Sequence, residues 1–358
     1  MLKILHVLTD TNIGGAGTYV ATYVKNHNSS LFDVSVLIPE NSQVKKLLSD
    51  ADCNIIETNI APDKSLDFKS IGLIRKVIKD GKFDLVHAHG SASARIAAKG
   101  ICKCVFTKHT LSTGSGMVSK LVYGALGGTA IAVSEASANN LVELGFDTKN
   151  IYTVYNGADD MSVPTPAQKN DAKKSFGIDE NKFVIGCVAR FHPVKDHKTL
   201  LMAAKLVLEK NDDIVFLFVG DGELKTEMMQ LAKEYGISDK CVFTGIVYDR
   251  HRAYHAMDVY TITSLHETFG LSMVESWSAS LPSVITDANG LSEIAVKNET
   301  SIICDVGDYE DLASAYLTLF EEPQKREAFA KKSLERYKNK FSAKVFAENL
   351  EKIYSNIV

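Results

Sequence analysis

The feature that most constrains the fold of this chain is an alternation, kept up from end to end, of short apolar runs with amphipathic stretches of helical period. The run at residues 3–9 is followed by a helical pattern from Thr18, the run at 33–38 by one near Ser42, and the run at 85–88 by one near Ala92. Near-continuous apolar runs are the mark of strands buried on both faces, as in a parallel sheet covered by helices. The rhythm halts at Tyr155-Asn-Gly-Ala-Asp-Asp-Met-Ser-Val-Pro-Thr-Pro166, a stretch rich in turn formers, and resumes with Phe183-Val-Ile-Gly-Cys-Val-Ala189. Runs at 214–219, 241–245, 259–263 and 283–286 continue it. With 358 residues there is length for two domains. The predicted fold is therefore α/β, with two Rossmann-like, doubly wound parallel-sheet domains over residues 1–165 and 166–342. Such sheets bind ligands outside the carboxyl ends of their strands.

One of those strand ends carries Ser264-Leu-His-Glu267-Thr-Phe-Gly270-Leu-Ser-Met-Val-Glu275. It reads as a loop after the strand at 258–263, followed by a helix from Leu271 to about Ser280, stopped by Leu281-Pro282. The first N–H groups of that helix, near Phe269, Gly270 and Leu271, lack intrahelical acceptors and attract a phosphate. Glu267 on the loop and Glu275 one turn into the helix would repel it, unless they accept hydrogen bonds from hydroxyls while cations elsewhere neutralise the phosphate. Taken alone, Glu267 reads equally as a solvated loop residue and Glu275 as a favourable first-turn charge. The cations are found at another strand end of the same half-chain. Arg190 follows the strand at 183–189, and Lys195 stands five residues on, before a helix that Asp196 or a neighbour could cap. Arginine can pair bidentately with phosphate and lysine supplies a point charge. Gly220-Asp-Gly-Glu223 closes the next strand in a tight turn near the nucleotide, with Gly220 a candidate donor-binding position and the turn's role mainly structural.

In the first half, Asn12-Ile-Gly14-Gly15-Ala-Gly17 joins the first strand to the first helix, and Gly14 and Gly15 would let backbone amides approach a diphosphate. The glycines fail the dinucleotide pattern at Val20, but Glu40 lies at about the right distance for a ribose contact, so a nicotinamide enzyme stays open on this loop alone. His89 and His109 fall at or just past strand ends, and His109 is the better candidate for ligand contact. Asp50-Ala-Asp52 trails a helical pattern and reads as solvent-facing, so no metal ligands are assigned.

The first 158 residues carry 16 Lys and Arg against 13 Asp and Glu, and the remaining 200 carry 24 against 31. That excess is too weak for nucleic acid, and no aromatic-studded basic stripe accompanies it. Six cysteines without C-x-x-C spacing read as small core residues. The N-terminal apolar run is too short for a signal peptide, and no segment approaches the length of a membrane span, so the expected location is the cytoplasm. The apolar-leaning stretch Met117-Val-Ser-Lys-Leu-Val-Tyr-Gly-Ala-Leu126 reads either as a core helix or as a surface for peripheral contact with the inner face of the cell membrane.

These residues together resemble the group 1, or family four, retaining glycosyltransferases of the GT-B fold. The resemblance rests on S-x-x-E-x-F-G-L-x-x-x-E over 264–275, Ala189-Arg190, Lys195, Gly220-Asp-Gly222, Gly14-Gly15, Val133-Ser134-Glu135 and Tyr155-Asn156-Gly157, in order along nearly the whole chain. It implies an N-terminal acceptor domain and a C-terminal donor domain clasping a nucleotide sugar, with a last helix over residues 343–358 returning to the first domain. It also implies that Arg190 and Lys195 hold the diphosphate, Glu275 the ribose and Glu267 the donor sugar. Phe269, Gly270 and Leu271 would offer amides, Gly15 would close over the diphosphate, and His109 would touch the sugar. The implied reaction is retaining and metal-independent, with no cofactor. It moves a hexose or N-acetylhexosamine from a UDP-sugar to a glycan or lipid-linked acceptor in cell-surface polysaccharide or glycoconjugate synthesis. A nucleotide-sugar epimerase and a non-catalytic sugar-nucleotide binding protein are the alternatives. The chain departs from the family at Ser280, where a glycine is usual, and at Gly290-Leu291-Ser292-Glu293, where Gly-x-Pro-Glu is common.

Overall fold

The structure, a computed structural model, describes residues 1–109, 126 and 128–358. Residues 117–125 of the apolar stretch singled out above lie outside the described residues. The chain divides into two compact units, one formed by Met1–Gly157 with Ala343–Val358, the other by Ala158–Ser342.

In the first unit the strands are β1 (Leu2–Val7), β2 (Phe32–Pro39), β3 (Asn54–Thr58), β4 (Leu85–His89), β5 (Lys103–Lys108), β6 (Thr129–Ala132) and β7 (Ile151–Thr153). They form one sheet in the order β3-β2-β1-β4-β5-β6-β7, and all pairs are parallel. Side chains alternate between its faces. Ile4, Val34, Leu85 and Val105 pack with Tyr19 and Tyr23 of the helix Gly15–Asn26 and with Phe346, Leu350 and Tyr354 of the helix Ala343–Ile357. Leu5, Val86 and Phe106 face the other way, toward the helices Phe68–Gly81, Ala92–Ala98 and Glu135–Glu143. The first helix begins at Gly15 rather than Thr18, so the Gly14-Gly15 pair is the start of the helix and not a loop ahead of it. The pattern near Ser42 is a single 3₁₀ stretch, Gln43–Leu47, that Ser42 caps.

The second unit carries β8 (Phe183–Val188), β9 (Ile214–Val219), β10 (Cys241–Gly245), β11 (Val259–Ile262), β12 (Ser283–Thr286) and β13 (Ser301–Cys304). Its order, β10-β9-β8-β11-β12-β13, is again wholly parallel. Both sheets reverse their strand order once, between β1 and β4 and between β8 and β11. A reversal opens a crevice at the carboxyl ends of the two strands concerned. Arg190 and Lys195 follow β8 and Glu267 follows β11, while Gly14 follows β1 and His89 ends β4. These residues thus fall at the strand reversals, whereas Gly220 follows β9 and His109 follows β5. Among the described residues, no helix is long and apolar enough to cross a membrane.

Candidate active site

In the second unit, the loop after β8 is held from below by the turn after β9. Phe191 N–H donates to the Asp221 carbonyl at 3.0 Å and Leu224 N–H to the Phe191 carbonyl at 3.2 Å. Gly220 has φ 145°, and a Cβ there would stand 2.1 Å from the Ala189 carbonyl oxygen; one on Gly222 would stand 2.4 Å from that of Phe191. Only glycine lets the two backbones approach so closely. The Gly-Asp-Gly turn is therefore a support for the segment that carries Arg190.

Arg190 itself is exposed and makes no ion pair among the described residues. Lys195 ends a 3₁₀ turn, and Asp196, at φ 43°, caps the helix His197–Leu208 by accepting from Thr199 N–H. The Lys195 ammonium pairs with Oε1 of Glu267, which also accepts from Ser264 Oγ at 2.9 Å. Leu265 N–H donates to the Val194 carbonyl at 2.8 Å, and Thr263 Oγ1 donates to the carbonyls of Lys195 and Asp196. The loops after β8 and β11 are thus stitched together by backbone and side chain alike. Gly290 N–H donates to the Glu267 carbonyl at 3.0 Å, so the segment that departs from the family pattern packs directly on the acidic loop.

Gly270, left-handed at φ 99°, starts the helix Leu271–Ser278 without a side-chain cap. With no side chain satisfying them, first-turn N–H groups of this helix remain available to an anion. Phe269 is buried, with its ring edge-on to Phe341. Ser280, where glycine is usual, has φ 60°, so a serine occupies the left-handed position that ends this helix.

Glu275 is in different company from Glu267. It is 5% exposed, its Oε1 pairs with Arg250, and its Oε2 accepts from the Tyr254 hydroxyl at 2.6 Å. Arg250 is held in turn by Asp159 at 2.9 Å. Burial pushes the Glu275 carboxyl up, and Arg250 and Tyr254 pull against it. Burial also opposes the Arg250 charge, but Glu275 and Asp159 outweigh it and raise the guanidinium pKa. Sequence reasoning missed Arg250, Tyr254 and Asp159. None lies in a motif, and the Arg250–Asp159 contact spans 91 residues.

In the first unit, Gly14 and Gly15 are exposed, with open space where a Cβ would stand. Period-two alternation places His6, His87, His89 and Thr107 on the same face of β1, β4 and β5, and His109 just past the end of β5. His6 Nδ1 and His89 Nε2 are 3.0 Å apart, as are His89 Nδ1 and His109 Nε2. His87 is engaged at both nitrogens, by Tyr354 Oη at 2.5 Å and Thr107 Oγ1 at 2.7 Å. Burial lowers all four pKa values, to about 3 for His6, to about 4 for His109 and well below the usual range for His87 and His89. His6, His87 and His89 bring ring nitrogens within 4.8 Å of one another, a spacing that could hold a metal ion. Of their six ring nitrogens five already bond to one another, to His109, Tyr354 or Thr107, and only His6 Nε2 lacks a partner among the described residues, so the set is chiefly a hydrogen-bonded network. His6 went unnoticed in the sequence, although its parity with Ile4 was the signal.

Two family models match the chain in succession: Glycosyltransferase Family 4 over residues 13–161 and Glycosyl transferases group 1 over 168–336. An Escherichia coli UDP-Gal:alpha-D-GlcNAc-diphosphoundecaprenol alpha-1,3-galactosyltransferase is 27% identical over 343 residues, covering 90% of this chain and 88% of its own. The N-acetyl-alpha-D-glucosaminyl L-malate synthase of Bacillus anthracis is 28% identical over 228 residues, or 63% of this chain and 59% of its own. Among solved structures, Anabaena HepE in complex with UDP and glucose matches with a TM-score of 0.85 at 21% identity, over 99% of this chain and 100% of that one. At that identity the likeness speaks for the fold, which is GT-B. With both halves matched in order by the two models, the chain belongs to the group 1, family four, glycosyltransferases.

Proposed function

We propose that this glycosyltransferase moves a hexose or N-acetylhexosamine from a UDP-sugar to a glycan or lipid-linked acceptor, with retention at the anomeric carbon and without a metal. The observation that carries the reading is the strand reversal of the second unit, where Arg190, the Lys195–Glu267 pair and the uncapped start of the helix Leu271–Ser278 come from adjoining strand ends. HepE is bound to UDP and glucose, and the Escherichia coli relative is named for UDP-Gal and a diphosphoundecaprenol-linked sugar, which supports the donor and acceptor classes.

In this reading Arg190 and Lys195 face the diphosphate, Glu267 the sugar and Glu275 the ribose. Gly14, Gly15 and His109 are the contributions of the first unit to substrate binding. As the bond from the anomeric carbon to the diphosphate breaks, negative charge grows on the leaving oxygen, and cations with fixed N–H groups stabilise it. The acceptor oxygen bonds to the anomeric carbon on the face the diphosphate leaves, and its proton passes to the departing phosphate. No carboxylate here is poised as a covalent nucleophile, since Glu267 is committed to Lys195 and Ser264, and Glu275 to Arg250 and Tyr254. The product serves cell-surface polysaccharide or glycoconjugate synthesis, at the cytoplasmic face of the membrane.

Incubation with a panel of nucleotide sugars, with and without acceptor extracts, tests the proposal. Nucleotide release that requires acceptor is the expected result, and sugar isomers formed without release would mean epimerisation instead. Arg190→Ala and Lys195→Ala should each lower turnover by about a hundredfold or more with the fold intact. Near-normal turnover in either would remove that residue from the diphosphate site.

A further inference from the structure

The chain His6–His89–His109 runs through the first unit as two successive nitrogen-to-nitrogen contacts of 3.0 Å each. A neutral imidazole carries one N–H and one lone pair, so each ring can donate through one nitrogen only. Two arrangements satisfy both contacts. In one, His6 Nδ1–H donates to His89, His89 Nδ1–H donates to His109 Nε2, and the His109 proton is on Nδ1. In the other every proton is reversed, which places the His6 proton on Nε2.

His6 Nε2 decides between them. It is fully buried and has no hydrogen-bond partner among the described residues. The reversed arrangement would leave a buried N–H unpaired, whereas the first leaves only a bare lone pair, and unpaired buried donors are the rarer and costlier defect. His87 cannot relieve it, since both its nitrogens are engaged by Tyr354 and Thr107. Tyr19 packs edge-on against His89 and His109, with ring centroids at 5.5 and 5.0 Å, and holds the two rings in register. Among the described residues, no protein group bonds to His109 Nδ1.

We propose that His6 and His89 are positioning residues that lock His109 in the tautomer with its proton on Nδ1, so that His109 presents a fixed hydrogen-bond donor to the substrate. The functional half of this rests on the reading of His109 as a substrate contact, and the tautomer half does not. A ring free to exchange tautomers would offer a donor part of the time and an acceptor the rest. A ring tied at Nε2 is oriented as well as protonated, which is how a partner on one imidazole nitrogen sets the role of the other.

Two-bond proton–nitrogen spectra of the full chain with ¹⁵N-labelled histidine read the tautomer directly, with His109→Gln used to assign its signal among the ten histidines. The expected spectrum has His109 protonated at Nδ1 and a nitrogen–nitrogen coupling across the His89–His109 bond; His109 protonated at Nε2 overturns the proposal without any variant. In His89→Phe the His109 signals should move toward a mixture of tautomers, and kcat should fall about tenfold, the scale of one lost oriented hydrogen bond, with little change in KM for the donor. Unchanged His109 signals in that variant would show that the relay sets nothing. Normal turnover in His109→Gln beside the expected spectrum would sink the substrate contact alone.

Discussion

The Glu275 carboxylate is 5% exposed and takes one bond from Arg250 and another from Tyr254, so losing the arginine leaves charge where water does not reach. Breaking a buried pair from one side is costly because the remaining ion is uncompensated. Arg250 is 40% exposed along its side chain, which puts Arg250→Ala below the fully buried case, at about 2–3 kcal/mol of destabilisation by urea unfolding. Arg190→Ala, at an exposed position without an ion pair among the described residues, should stay within about 0.5 kcal/mol. The two substitutions separate the roles. Without Arg250 the Glu275 carboxyl is raised further, and a group whose folded pKa lies above its unfolded value gains stability as pH falls. The Arg250→Ala deficit should therefore shrink between pH 7.5 and pH 5, and a deficit that is equal at both, or absent, would mean that Arg250 does not hold the charge. The motif spacing made Glu267, Glu275, Arg190 and Lys195 legible because strand ends and a helix start fix where such residues fall. It gave no hint that Lys195 and Glu267 pair with each other, or that Glu275 is enclosed by a guanidinium and a phenol, because those contacts join distant segments.

Elements were legible in proportion to their burial. The runs 214–219 and 283–286 are strands with those same limits, since central parallel strands must be apolar on both faces, and 241–245 keeps its limits although β10 is a partly buried edge strand. The edge strands β3 and β7 are only partly buried and mix polar with apolar residues, so their periodicity carries little signal. The turn after β9 was legible as glycines but not as a support, because its purpose depends on the backbone of a different strand end. Gly220→Ala tests that purpose. A Cβ at φ 145° adds strain of about 1–3 kcal/mol, and the 2.1 Å approach to the Ala189 carbonyl adds to it, so the loop must move. The expected result is a lowered unfolding midpoint together with weaker nucleotide binding by calorimetry, since Arg190 is the next residue in the displaced segment. A loss of stability with unchanged nucleotide affinity would separate the turn from the site.

Over the whole molecule, histidines whose pKa burial lowers are distributed unevenly. The first unit holds His6, His87, His89 and His109, all with pKa values lowered by burial, and the second holds His197, lowered to about 4. In the unfolded chain each ring titrates near 6.5, so below that pH the unfolded state binds protons that the folded state excludes. Stability is then lost as pH falls from about 6.5 toward the folded values, by about 2 kcal/mol for each such ring at pH 5. The carboxyls of Asp10 and Glu351 in the first unit and Glu275 in the second are raised by burial and work in the opposite sense. Each acts between its unfolded value near 4 and its raised folded value, inside the window of the histidines, so in the first unit two carboxyls oppose four imidazoles. The chain's one tryptophan, Trp277, is fully buried in the second unit, where its indole N–H donates to Ser283 Oγ at 3.2 Å. Its fluorescence reports that unit alone, while far-ultraviolet circular dichroism reports both. Acidification from pH 7.5 to pH 5 should lower the dichroism melting transition more than the fluorescence one, and His6→Phe should narrow the gap. Two transitions that fall together at both pH values would show that the buried histidines of the first unit do not govern its acid stability.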